Sequence, residues 1–273
     1  MTVEAIRVSP SWLDLREAAD RAARAREFVG RLRRCAPVDG EWTIHDLGCG
    51  SGAMGRWLAP LLPGPQRWVL HDRDADLLAM AAANPPGPAA DGADVAIETR
   101  ASDVTQLRPD DLAGATLVTA SALLDLLTRD ELMRLIHACA GVGCPVLFAL
   151  CVNGRVQLLP EDPLDARMAA AFNAHQRRVT QRGRLLGPDA VQAAAEGLRL
   201  LGAEVAVRPS PWRLGRAESE LAVEWLIGWV DAACEQEPAL GLDIDRYRRR
   251  RLSEATAGVM AVTVGHADLL VLP

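Results

Sequence analysis

Ile44-His45-Asp46-Leu47-Gly48-Cys49-Gly50-Ser51-Gly52 runs from an apolar stretch into a loop with glycine at every second position. Upstream, from Trp42, the residues suit a strand, and downstream, over 53–62, they read as a helix. A strand that enters a helix through glycines lets the backbone approach a ligand closely, and the helix N-terminus offers it unpaired N–H groups. Outward from this loop, further strands are expected over 67–71, 95–99, 116–120 and 146–152, with helices over 75–83 and 129–140 between them. The strands are continuous apolar runs rather than strict alternations, which argues for a parallel sheet covered on both faces. The fold class is therefore α/β, doubly wound.

As a glycine pattern the loop is ambiguous, because Gly50-Ser51-Gly52-Ala53-Met54-Gly55 also matches the dinucleotide fingerprint G-x-G-x-x-G. Asp46 tips the balance: a carboxylate two residues before Gly48 would repel a pyrophosphate and could receive a cationic ligand. Two more acids stand at the ends of the next two strands, Asp72 in His71-Asp72-Arg73-Asp74 and Asp103 in Ala101-Ser102-Asp103-Val104. Singly they could be a solvated strand end, a helix cap or a turn residue. Together they mark the carboxyl edge of the sheet, where open α/β folds bind ligands.

Asp46-Leu47-Gly48-Cys49-Gly50-Ser51-Gly52 resembles the first motif of class I methyltransferases that use S-adenosylmethionine (SAM), over a region of about 42–152. The resemblance implies a doubly wound, mostly parallel, seven-stranded sheet, with S-adenosylhomocysteine (SAH) as the product of the cofactor. It places Gly48, Cys49, Gly50 and Gly52 around the methionine part of SAM, with Asp46 nearby. Asp72 and its neighbour Arg73 fall at the ribose, and Asp103 with Val104 at the adenine. The Asn/Asp-Pro-Pro-aromatic motif of enzymes that methylate adenine or glutamine amino groups is absent from 119–125, and Asn84-Pro85-Pro86-Gly87 is read as a turn. The stretch instead looks like small-molecule methyltransferases, so Ser121 and Asp125 are pocket candidates near the methyl group.

A segment inserted after the fifth strand is where methyltransferases of this type cover the substrate. There Met168, Phe172, His175 and Val179 share one helical face, which makes His175 a candidate general base, with Asp125 to orient it. His45, His71, His137 and His266 are read as structural. The basic run Arg246 to Arg251, broken only by Tyr247, could touch phosphate. The acids around it, Glu235, Glu237, Asp243, Asp245 and Glu254, favour a solvated helix face.

The remaining boundaries follow from composition. The 273 residues hold 30 Lys plus Arg, all of them Arg, against 36 Asp plus Glu, and the net charge of −6 argues against nucleic acid as a partner. The six cysteines form no C-x-x-C pair and have no histidine at ligand spacing, so neither zinc nor a redox dithiol is indicated and no metal is expected. No leader-like N-terminus or membrane-length apolar run is present, and the expectation is a cytoplasmic protein off the membrane. The expected organisation is a helical cap over 1–40, a SAM-binding core over 41–153, an inserted cap over 154–202, and C-terminal strands over 203–273 with a helical insertion at 217–257. The function read from this is methyl transfer to a small molecule. An RNA methyltransferase, a non-catalytic SAM-binding scaffold and an NAD-binding Rossmann protein stand as alternatives.

Overall fold

The computed structural model describes residues 8–38, 40–240 and 243–273. The start of the expected 1–40 cap and residues 241–242 of the 217–257 insertion lie outside them. Among the described residues, strands β1 (Trp42–Leu47), β2 (Gln66–Asp72), β3 (Val95–Ala101), β4 (Leu117–Ser121), β5 (Val146–Leu159), β6 (Val179–Thr180), β7 (Gly183–Arg184), β8 (Glu204–Pro209), β9 (Trp212–Leu214) and β10 (Ala261–Leu272) are accompanied by nine α-helices. These are α1 (Pro10–Ala23), α2 (Glu27–Arg34), α3 (Ala53–Leu58), α4 (Ala75–Ala83), α5 (Arg129–Val142), α6 (Asp165–Gln176), α7 (Ala190–Leu200), α8 (Ser219–Gln236) and α9 (Asp243–Thr256). The main sheet has the order β3-β2-β1-β4-β5-β10-β8, with β9 also on β10. The first five strands are parallel and β10 is antiparallel to β5, β8 and β9.

The chain leaves β1 toward β3 and returns to β4 on the other side, so the order reverses between β1 and β4. A crevice opens at such a point beyond the carboxyl ends of the strands. Helices cover both faces, as the apolar strands require. Phe28, Leu32, Met54, Trp57 and Leu78 from α2, α3 and α4 bury Trp42, Ile44 and Trp68 on one side. Leu132, Leu135 and Ile136 of α5 and Ala194 and Leu198 of α7 bury Val118 and Phe148 on the other. A third core, around Leu158, Trp212, Trp225, Trp229 and Tyr247, joins α6, α8 and α9 to the far halves of β5 and β10.

The opening helical segment is capped by Ser9, whose Oγ accepts from the Trp12 N–H. It is also two helices, because the Ala25 N–H leaves the helical pattern to donate to Asp268 Oδ2 at 2.7 Å. The fifth strand continues to Leu159 because β10 pairs along its whole length, from Ala261 opposite Leu159 to Val271 opposite Val146. Gly265 lies at the first of two register shifts along this pairing, between Val264 and His266; the second falls between Ala267 and Leu269. Glycine is required at the first, since a Cβ would collide with Asn153 and Arg155.

Candidate functional site

A cavity of about 730 Å³ opens over the β1–β4 crevice and runs from the strand ends to the underside of the cap. That is within the usual range for small-ligand sites. The glycine loop forms part of its floor. Gly48 and Gly50 line it with φ of +64° and +53°, a left-handed backbone that side chains with a Cβ rarely adopt. The Gly50 N–H donates to Asp72 Oδ2 at 2.9 Å, and the Asp74 N–H donates to Asp72 Oδ1 at 3.0 Å. The Asp72 carboxylate is thus fixed at the end of β2 with two of its roughly four lone-pair positions used, leaving acceptors for a ligand.

After β3, Asp103 caps a short turn, and its Oδ1 accepts from both the Thr105 N–H at 2.9 Å and the Thr105 hydroxyl at 2.7 Å. Asp103 therefore does act as a turn residue, but it also lines the cavity, next to Val104. Arg73, Ser121 and Asp125 line it too. Desolvation raises the Asp125 carboxyl to about 6, so it can hold a proton near neutrality. Beside it the backbone is strained: Ala122 at φ +51° and Leu150 at φ +54° both face the cavity. Such conformations cluster at ligand sites.

Asp46, Cys49 and Gly52 do not line the cavity. Asp46 is buried under the loop, where its Oδ1 accepts from the Thr119 hydroxyl at 2.8 Å and its Oδ2 has no partner. Burial raises its pKa to about 7. Cys49 is buried, and desolvation pushes its thiol far above the usual range. Gly52 starts α3 at φ +85°, packed against Ala81 and Arg56. Behind Ser121 lies Arg24, a residue the sequence reading did not single out. It is 3% exposed, donates through Nη2 to Ser121 Oγ at 3.2 Å and sits 5.2 Å from the Trp57 ring centroid.

His175 is corrected. Phe172 and Gln176 of α6 line the cavity, but His175 does not. It points across to α8, with Nε2 3.2 Å from Glu235 Oε2. On a helix of 3.6 residues per turn the two cavity-facing positions lie one turn apart, and His175 falls off their stripe. The histidine on the cavity is His266, placed by β10 and 3% exposed. Its ring packs against Trp212 with centroids 5.2 Å apart, and its Nδ1 makes no hydrogen bond. Desolvation, then Arg16, lowers its pKa to about 4, so it is neutral.

Three of the five arginines in the basic run are paired within the cap, and Arg251 is buried there. Arg251 bonds both oxygens of Asp165, Arg250 pairs with Asp162, and Arg248 pairs with Asp231. The six cysteines are free thiols, and no group of metal-binding side chains occurs among the described residues. No helix among them is long and apolar enough to cross a membrane.

No protein-family model matches the sequence, and no curated protein matches it. Among solved structures, the chain is similar to a protein of Anaeromyxobacter dehalogenans provisionally described as a type II methyltransferase, with TM-score 0.50 and 16% identity over 92% of this chain and 97% of that one. It also matches a cyclopropane synthase of Mycobacterium tuberculosis, with TM-score 0.46 and 13% identity over 90% and 83%. A third match is a SAM-dependent methyltransferase of Geobacter sulfurreducens in complex with SAH, with TM-score 0.44 and 13% identity over 97% and 98%. The first likeness and the strand order agree: the chain carries the α/β fold of the class I methyltransferases.

Proposed function

We propose that the protein is a SAM-dependent methyltransferase acting on a small molecule. The observation that carries this reading is the Asp72 carboxylate. It is locked to the Gly50 N–H across the β1 loop and stands in one cavity with Asp103 and Val104 at the reversal point of the sheet. The residues fit the cofactor. Asp72 presents acceptors to a pair of ribose hydroxyls, and Asp103 and Val104 form a polar and an apolar wall for the adenine. The left-handed loop at Gly48 and Gly50 leaves backbone open for the amino-acid part. When bound, SAM supplies a methyl group already activated by its sulfonium.

The protein's own part is then to align an acceptor and to exclude water. Ser121, Ala122 and Asp125 line the cavity together with Phe172 and Gln176 of α6 and Trp225 of α8. Pairing of Arg248, Arg250 and Arg251 with acids of the cap weighs against the RNA reading.

Calorimetric titration with SAM and SAH tests the proposal. Both should bind, and Asp72→Ala should weaken SAM by about 1.5–3 kcal/mol, the scale of hydrogen bonds to a charged group, with the fold intact. NAD binding in place of SAM, or unchanged affinity in the variant, would overturn it.

A further inference from the structure

The outer end of the cavity has a chemical character that the cofactor reading does not account for. Four aromatic side chains line the cavity from four separate elements, Trp12 of α1, Phe172 of α6, Trp212 of β9 and Trp225 of α8, and the Trp12 and Trp212 rings are in contact with centroids 6.1 Å apart. Flat walls of this kind favour a flat apolar ligand. A cation, the other usual guest of an indole cage, is opposed, because the cage already contains one. The Arg16 guanidinium lies 4.9 Å from the Trp212 centroid and 5.9 Å from that of Trp12, held by both oxygens of Asp20. Against the same Trp212 ring stands His266, 3% exposed and with Nδ1 unpartnered.

We infer that the methyl acceptor is a hydroxyl-bearing aromatic compound of phenol type, whose hydroxyl donates to the His266 imidazole. This rests on the proposed methyl transfer. A neutral imidazole has an unprotonated nitrogen to accept that hydrogen bond, and desolvation and then Arg16 keep His266 neutral. The charged groups facing the ring are Arg16 and Asp20 of α1.

The test uses SAH-loaded protein and three probes of one shape: 4-nitrophenol, 4-nitrotoluene and 4-nitrophenyltrimethylammonium, titrated calorimetrically below the pH at which the phenol ionises. The phenol should bind about ten-fold tighter than the toluene, and the cation weakest. His266→Leu should erase the phenol's advantage while leaving nitrotoluene binding unchanged, and His266→Gln, which keeps an acceptor atom, should restore it. Equal binding of phenol and toluene by the wild type, or tightest binding of the cation, would overturn the inference without recourse to any variant. SAH binding separates the two claims. Its absence removes the methyltransferase reading, whereas SAH binding without phenol preference removes only the acceptor class.

Discussion

At the scale of single residues, the site divides by how its members are positioned. Gly48, Gly50, Asp72, Asp103, Val104 and Ser121 each lie at or just beyond the end of a parallel strand, so locating the strand in the sequence also located the side chain. Arg16, Trp212 and His266 had no such signal, because they meet only after segments some 200 residues apart in sequence fold together. His175 shows the converse: an apolar helical stripe was legible, but not which side of α6 the cavity would take. The glycine loop offers a graded test. Ala at Gly50 would meet only Leu13 Cδ1 at an ordinary 3.4 Å, so its cost is that of the left-handed backbone, about 1 kcal/mol. Ala at Gly48 carries the same backbone cost and also places its Cβ 3.1 Å from Leu123 Cδ1. Urea unfolding should therefore rank Gly48→Ala as less stable than Gly50→Ala, and equal midpoints would show that Leu123 yields freely.

At the scale of elements, strands and helices of the core fell where periodicity put them, the helices of the inserted segments were legible too, and the far half of β5 was not. The far half of β5 contains Asn153, Gly154, Arg155 and Gln157, which read as loop by composition. It is a strand because β10 pairs with it again from Val156 to Leu159, beyond the register shift at 153–155, a tertiary cause with no local trace. The arginine run was legible only as charge. In the structure Arg251 is 1% exposed and donates to Asp165, Glu254 and the Pro160 carbonyl, while Tyr247 donates to the same Asp165 at 2.7 Å. Removing one partner from a buried pair leaves the other charge uncompensated, which costs roughly 3–5 kcal/mol. Arg251→Ala should lose stability on that scale in chemical denaturation, and Arg249→Ala, at an exposed position of the same helix, less than about 0.5 kcal/mol. Similar values for the two would mean that α9 is held by its apolar face alone. A second tie between elements is Arg182, in the β6–β7 turn, which donates to Glu131 Oε1 at 2.9 Å and to the Leu126 carbonyl. Arg182→Ala should raise amide exchange over 178–185 and leave exchange in the main sheet unchanged. Uniform exchange across both would sink that assignment.

At the scale of the whole molecule, buried titratable groups of opposite sense set how stability responds to pH. His45 Nδ1 and His71 Nε2 lie 3.0 Å apart inside the sheet, and burial lowers both to about 4. Between about pH 6.5 and 4 the unfolded chain binds protons there that the folded one does not, so their contribution to stability is lost as pH falls through that window. Asp46 runs the other way. Its folded pKa of about 7 lies above its unfolded value, so its contribution is complete below about pH 4 and is lost as pH rises toward 7. The causes are desolvation, opposed by the Thr119 hydroxyl and then by Arg24. Asn at position 46 keeps an oxygen for Thr119 and cannot ionise, which isolates this one group. Measured by urea unfolding, the stability of Asp46→Asn relative to the wild type should rise by about 2–3 kcal/mol from pH 5 to pH 8 and level off above pH 7. A difference that stays constant across that range would mean that Asp46 is ionised throughout. The Arg24 guanidinium, which also carries Ser121 at the cavity wall, would then be held by a permanent ion pair beneath the glycine loop.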